Sequence, residues 1–97
     1  MILVRDVLEI DPAQMKMAKE ATRGSQGLLK RLEYGPTRMM TDFVGTYYTF
    51  VIESEFPDLA AFETSLAGTF QDPEWQAFYG KLRPHVRGGR REVYTLL

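Results

Sequence analysis

The stretch "DPEWQAFYGKLRPHV", residues 72–86, holds the only tryptophan of the chain, Trp75, and its only histidine, His85. Histidine changes charge near neutral pH and suits general-base work, while an indole offers a broad face for stacking on a ligand. Each also has a plainer role. Trp75, Phe78, Tyr79 and Leu82 fall at i, i+3, i+4 and i+7, the stripe of a helix anchored on a sheet. His85 follows Pro84, beyond the helix end, where it reads as a terminal or surface residue. His85 is therefore a catalytic candidate without a sequence partner.

Other chemistry is thinly represented. Ser54 and Ser65 have no histidine nearby in sequence, and no GxSxG elbow occurs. Asp42 and Glu53 sit on adjacent predicted strands, and a carboxylate pair there would need burial to raise one pKa. Ion pairs with Arg5, Arg38 or Arg91 explain them more simply. The chain has no cysteine and one histidine, with no HxxE or HxH spacing, so neither a thiolate site nor a bound metal is expected. The glycines of "RGSQG" do not follow a strand and match neither phosphate-loop pattern. No cofactor motif is present.

The elements that would position these residues can be read from caps and periodicity. "ILVRDVLEI" (2–10) is short and rich in β-branched residues and leucine, a strand. Asp11-Pro12 with Gln14 is a helix-start signal, and a helical stripe from Met15 to Leu32 follows, ending near Gly35. Gly24, Ser25 and Gly27 make the middle of that stripe small, which predicts a bend or a tight approach. "PTRMMTDFVG" (36–45) and "YYTFVIESEF" (47–56) read as a hairpin turning at Gly45-Thr46. A second helix opens at Asp58, is interrupted at Gly68, and restarts at Asp72-Pro73. Gly88-Gly89 reads as a turn before a closing strand, "RREVYTLL".

The order is β-α-β-β-α-β: an α+β, ferredoxin-like fold with a four-stranded antiparallel sheet and a split second helix. The 97 residues form a single domain, 1–97, without repeat or linker. Twelve basic against thirteen acidic residues give a net charge of −1, so no global field draws the chain to nucleic acid or to a membrane surface. No apolar run reaches the ~20 residues of a membrane span, and the first residues lack a signal-peptide pattern, so a cytoplasmic protein is expected.

Helices cover one face of such a sheet, yet the strands are apolar on both. Ile2, Val4, Leu8 and Ile10 oppose Leu3 and Val7, while Tyr48, Phe50, Ile52 and Phe56 oppose Tyr47, Thr49, Val51 and Glu53. Two-faced strands predict that the second face meets a partner, most simply another copy of the chain.

Through "DPEWQAFYGKLRPHV", "GGRREVYTLL" and "TDFVGTYYTFVIES" the chain resembles the dimeric α/β-barrel superfamily, and within it the NIPSNAP-type proteins. The resemblance implies two sheets packed face to face in a homodimeric barrel. It also implies a relationship to haem-degrading and quinone-forming monooxygenases, isomerases, haem peroxidases and effector-binding domains. The asparagine of the haem-degrading branch has no counterpart, since the chain contains none, and Ser65 stands where that branch has its tryptophan. RNA-recognition motifs share the element order, but aligning on Phe50-Val51 places Thr46, Tyr47 and Glu53 at the basic, glycine and final aromatic positions.

In this fold ligands lie between helices and sheet, which makes Tyr48, Phe50, Trp75, Phe78, Tyr79 and His85 the candidate pocket. Two readings stay open. One is a homodimer binding an apolar or aromatic small molecule, with cofactor-independent oxidation or isomerisation as its chemistry if it is an enzyme. The other is a non-enzymatic dimerisation or regulatory module.

Overall fold

Three aspartates start the helical segments. Asp11 Oδ1 accepts from Ala13 N at 3.1 Å over a 3-10 turn, Pro12–Gln14, which leads into α1 (Met15–Arg31). Asp58 Oδ1 accepts from Ala61 N at 2.8 Å and opens α2 (Leu59–Gln71). Asp72 Oδ1 accepts from Glu74 N and Trp75 N and opens α3 (Pro73–Leu82). Each side chain satisfies an N–H that the first turn leaves without a helical acceptor. The computed structural model describes residues 1–32 and 37–97, apart from the Gln26 side chain. The expected helix end at Gly35 and strand start at Pro36 lie outside the described residues.

The strands are β1 (Ile2–Ile10), β2 (Thr37–Thr41), β3 (Thr49–Phe56) and β4 (Val86–Thr95). They form one sheet in the order β2-β3-β1-β4, antiparallel throughout. This is the ferredoxin-like arrangement, with α1, α2 and α3 against one face. Register assigns the faces. Val4, Asp6, Leu8 and Ile10 point to the helices with Phe50, Ile52, Ser54, Phe56 and Arg91. Arg5 and Val7 point away, beside Val51, Glu53, Arg90 and Glu92.

The core beneath the helices has two centres. Val4, Leu29, Phe56 and Phe62 form one, with Trp75 against it; Ile10, Met15, Ala18, Phe50 and Leu82 form the other, with Phe78 against it. Met39 touches both.

Four local expectations need correction. The hairpin turn is a seven-residue connection (42–48), because Tyr48 adopts a left-handed φ of 60° that ends the alternation before Thr49. Gly68 does not interrupt α2; the chain leaves helical geometry only at Asp72. Gly88-Gly89 is not a turn but part of β4, paired with Glu9 and Leu8 next to a bulge. A Cβ on Gly89 would lie 2.7 Å from the Val7 carbonyl oxygen, so glycine is there for close strand approach. Finally, Gly24 and Gly27 are exposed, with no described atom near where a Cβ would stand, while their neighbours Thr22 and Ser25 are buried. The small stretch is therefore not a site of tight packing.

Candidate functional site

Between the two core centres the helices and the sheet do not close. A cleft of about 500 Å³ remains, within the ~300–1,000 Å³ range of small-molecule sites. Its sheet side carries Leu8, Phe50 and Ile52, its helix side Leu66, Trp75, Phe78 and Tyr79. Gly88, Gly89 and the arginines 87, 90 and 91 border it along β4.

The aromatic wall is held from behind by charge. Asp72, besides capping α3, accepts from Arg31 Nη2 at 3.0 and 3.1 Å, and the same nitrogen reaches Glu74 Oε2 at 3.0 Å. This ties the end of α1 to the start of α3. The Trp75 N–H, followed by Arg31, holds the Asp72 carboxyl below its usual range, and Asp72 in turn raises the Arg31 pKa. From that start, Trp75 and Tyr79 stack with ring centres 5.9 Å apart and planes 9° apart. Phe78 lies 5.4 Å from Trp75 at a tilt.

Polar groups in the cleft are few. Thr22 Oγ1 donates to Ala18 O and Thr69 Oγ1 to Ser65 O, so both hydroxyl protons are used within their own helices. Asp6 accepts from Arg91 Nε at 2.6 Å and Nη2 at 3.3 Å, and the same guanidinium lies 5.3 Å over the Phe62 ring.

Phe50, Trp75, Phe78 and Tyr79 are thus brought together around the cleft. Tyr48 and His85 are not among its lining residues. Tyr48 sits in the β2–β3 connection next to Tyr47, its carbonyl accepting from Ile10 N. His85 ends a 3-10 turn (Arg83–His85), and its backbone carbonyl accepts from Asp11 N at 2.9 Å. Sequence reasoning missed Leu8, Ile52, Asp6 and Arg91 as cleft residues. The alternation of β1 was legible, but the cross-strand pairing that sets Arg91 beside Asp6 was not.

The opposite sheet face is organised differently. Glu53, only 7% exposed, accepts from Arg5 Nε at 2.7 Å and Arg38 Nη2 at 3.0 Å, which raises the Arg5 pKa. Asp42 instead accepts from Thr49 N, so the two carboxylates do not form an acid/base pair. Tyr94 donates to Glu92 at 2.8 Å, a bond that raises the tyrosine pKa, and Arg5 lies over the Tyr94 ring. Among the described residues no group of three His, Cys, Asp or Glu could hold a metal ion, and no helix is long and apolar enough to cross a membrane.

No family model and no curated protein matches the sequence. Solved structures do. A NIPSNAP family protein from Agrobacterium tumefaciens aligns at TM-score 0.90 and 13% identity, over 99% of this chain and 92% of that one. The fold is that of the NIPSNAP proteins. An uncharacterised NIPSNAP domain protein from Burkholderia xenovorans aligns at TM-score 0.88 and 17% identity, over 100% and 95%. A wider likeness reaches a putative antibiotic biosynthesis monooxygenase from Bacteroides thetaiotaomicron, at TM-score 0.76 and 15% identity, over 99% and 89%. At such identities this NIPSNAP-like chain shares architecture with these proteins, and the likeness carries no residue roles.

Proposed function

We propose that this NIPSNAP-like chain binds an apolar or aromatic small molecule in the helix–sheet cleft, as one half of a homodimer joined through the opposite sheet faces. The single observation that carries the reading is the apolar cleft of about 500 Å³ walled by Leu8, Phe50, Trp75, Phe78 and Tyr79. An apolar ligand entering it gains roughly 25 cal/mol for each Å² removed from water.

The face away from the helices suits a second copy. Val7, Val51 and Met40 supply apolar surface, and Glu53 is already neutralised by Arg5 and Arg38. Glu53, the buried carboxylate of that face, can therefore enter a two-fold interface already paired. The likeness to an antibiotic biosynthesis monooxygenase makes oxidation of the bound molecule the first reaction to test, with isomerisation second.

Trp75, the only tryptophan, reports on the cleft directly. Titration with the dye anilinonaphthalene sulfonate should give saturable energy transfer from Trp75 at one site per chain. Trp75→Ala and Phe78→Ala should each weaken the dye's own enhancement at least about tenfold. Dye binding indifferent to both substitutions would end the cleft reading.

A further inference from the structure

Resting on the cleft reading above, we infer that the ligand is an uncharged alcohol or phenol: an apolar or aromatic body whose hydroxyl donates a hydrogen bond to the Asp6 carboxylate.

The charges bordering the cleft are already matched. Arg91 Nε donates to Asp6 Oδ1 at 2.6 Å, Arg87 lies 3.5 Å from Asp11, and Arg90 lies 3.6 Å from Glu92. Arg90 also pairs in register with Val7, whose side chain points away from the helices, so its charge belongs to the other sheet face. A charged head group at the Asp6 end would therefore find no unmatched counter-charge.

What is left over there is capacity to accept hydrogen bonds. Asp6 lines the cleft from β1 with its side chain 20% exposed. An ionised carboxylate can accept about four hydrogen bonds. Arg91 supplies two, of which the one to Oδ2 is long at 3.3 Å. The guanidinium thus fixes the orientation of the carboxylate and leaves lone pairs on both oxygens. Thr22 and Thr69 also line the cleft, and both have given their hydroxyl protons to carbonyls of their own helices, so they too present acceptors. Such a surface suits a ligand that donates. A hydroxyl does so without bringing charge, and its own lone pairs suit the indole N–H and the tyrosine hydroxyl of the α3 wall.

The test compares naphthylethanol, its methyl ether and naphthylacetate, which share a ring system and differ in the head group. Calorimetric titration near neutral pH should show the alcohol binding at least about tenfold more tightly than the ether, the usual scale of a hydrogen bond to a charged group. It should also bind more tightly than the acid. Asp6→Asn exchanges an acceptor oxygen for an amide donor and removes the charge facing Arg91. The alcohol's advantage over the ether should then largely vanish, and the acid should gain affinity. A purely structural Asp6–Arg91 pair would instead make this substitution weaken all three ligands alike, which would overturn the assignment. Should Asp6→Asn fail to fold, Asp6→Leu/Arg91→Met replaces the ion pair with apolar side chains and should bind alcohol and ether equally. Equal affinity for alcohol and ether in the parent, or tighter binding of the acid, would overturn the hydroxyl proposal and leave the cleft standing. Binding of none of the three would overturn both.

Discussion

Truncating Tyr79 and truncating Phe62 should have opposite consequences, although both are aromatic residues facing the interior. Phe62 is 5% exposed, packs on Phe56 with ring centres 5.2 Å apart, and lies beneath the Arg91 guanidinium. Phe62→Ala would leave a void in a closed part of the core, a change that costs about 3–5 kcal/mol. Tyr79 is 36% exposed and borders the cleft, so its ring has lost less water and touches fewer atoms. Its stack on Trp75 contributes about 0.5–1.5 kcal/mol beyond area burial, and its partial burial adds about 1 kcal/mol more. Tyr79→Ala should therefore cost about 1.5–2.5 kcal/mol. For a domain of this size each kcal/mol moves Tm by about 4–8 °C. Differential scanning calorimetry should place Tyr79→Ala roughly 6–20 °C below the parent and Phe62→Ala lower still. Dye binding should follow the reverse order: weak in folded Tyr79→Ala, and retained in whatever fraction of Phe62→Ala stays folded. If Tyr79→Ala cost as much as Phe62→Ala, the ring would be a full core member with no open space beside it.

Three further outcomes follow from other parts of the molecule. Gly89→Ala should destabilise by about 1–3 kcal/mol in urea unfolding, because the new Cβ meets the Val7 carbonyl at 2.7 Å; an unchanged midpoint would mean that β4 can move away freely. Glu53→Gln should cost about 2 kcal/mol, below the range for a fully buried pair because Arg5 and Arg38 are 36% and 70% exposed, and should raise the dimer dissociation constant in analytical ultracentrifugation. A dimer indifferent to this change would place the interface elsewhere. Asp72, its carboxyl pKa lowered by the Trp75 N–H and then Arg31, stabilises the fold above the ordinary carboxylate pKa of about 3.9 and loses that contribution as pH falls through its lower folded value. Tm of the parent should accordingly fall more steeply on acidification below about pH 4 than Tm of Asp72→Asn; parallel curves would contradict the assigned role.

Much of the fold was legible because its signals are local. Asp11-Pro12, Asp58 and Asp72-Pro73 each satisfy amides within three residues, so where the chain turns into α1, α2 and α3 could be read from type and order alone. The stripe of Trp75, Phe78 and Tyr79 likewise needs only helical periodicity, and those three residues line the cleft. What escaped depends on distance in sequence or on backbone conformation. Gly88-Gly89 resembles a turn until β1 is known to lie against it. Tyr48 continues the alternating pattern of β3, but its left-handed φ breaks that pattern. Asp6 and Arg91 are 85 residues apart and meet only through the β1–β4 register, so the polar end of the cleft had no local signature.

Native mass spectrometry of the chain equilibrated with anilinonaphthalene sulfonate tests the central claim most directly. A species at twice 11.2 kDa carrying one ligand per chain, with occupancy lost in Trp75→Ala, is the predicted result. A dimer or monomer that stays bare at saturating ligand would contradict the claim that the cleft is a binding site.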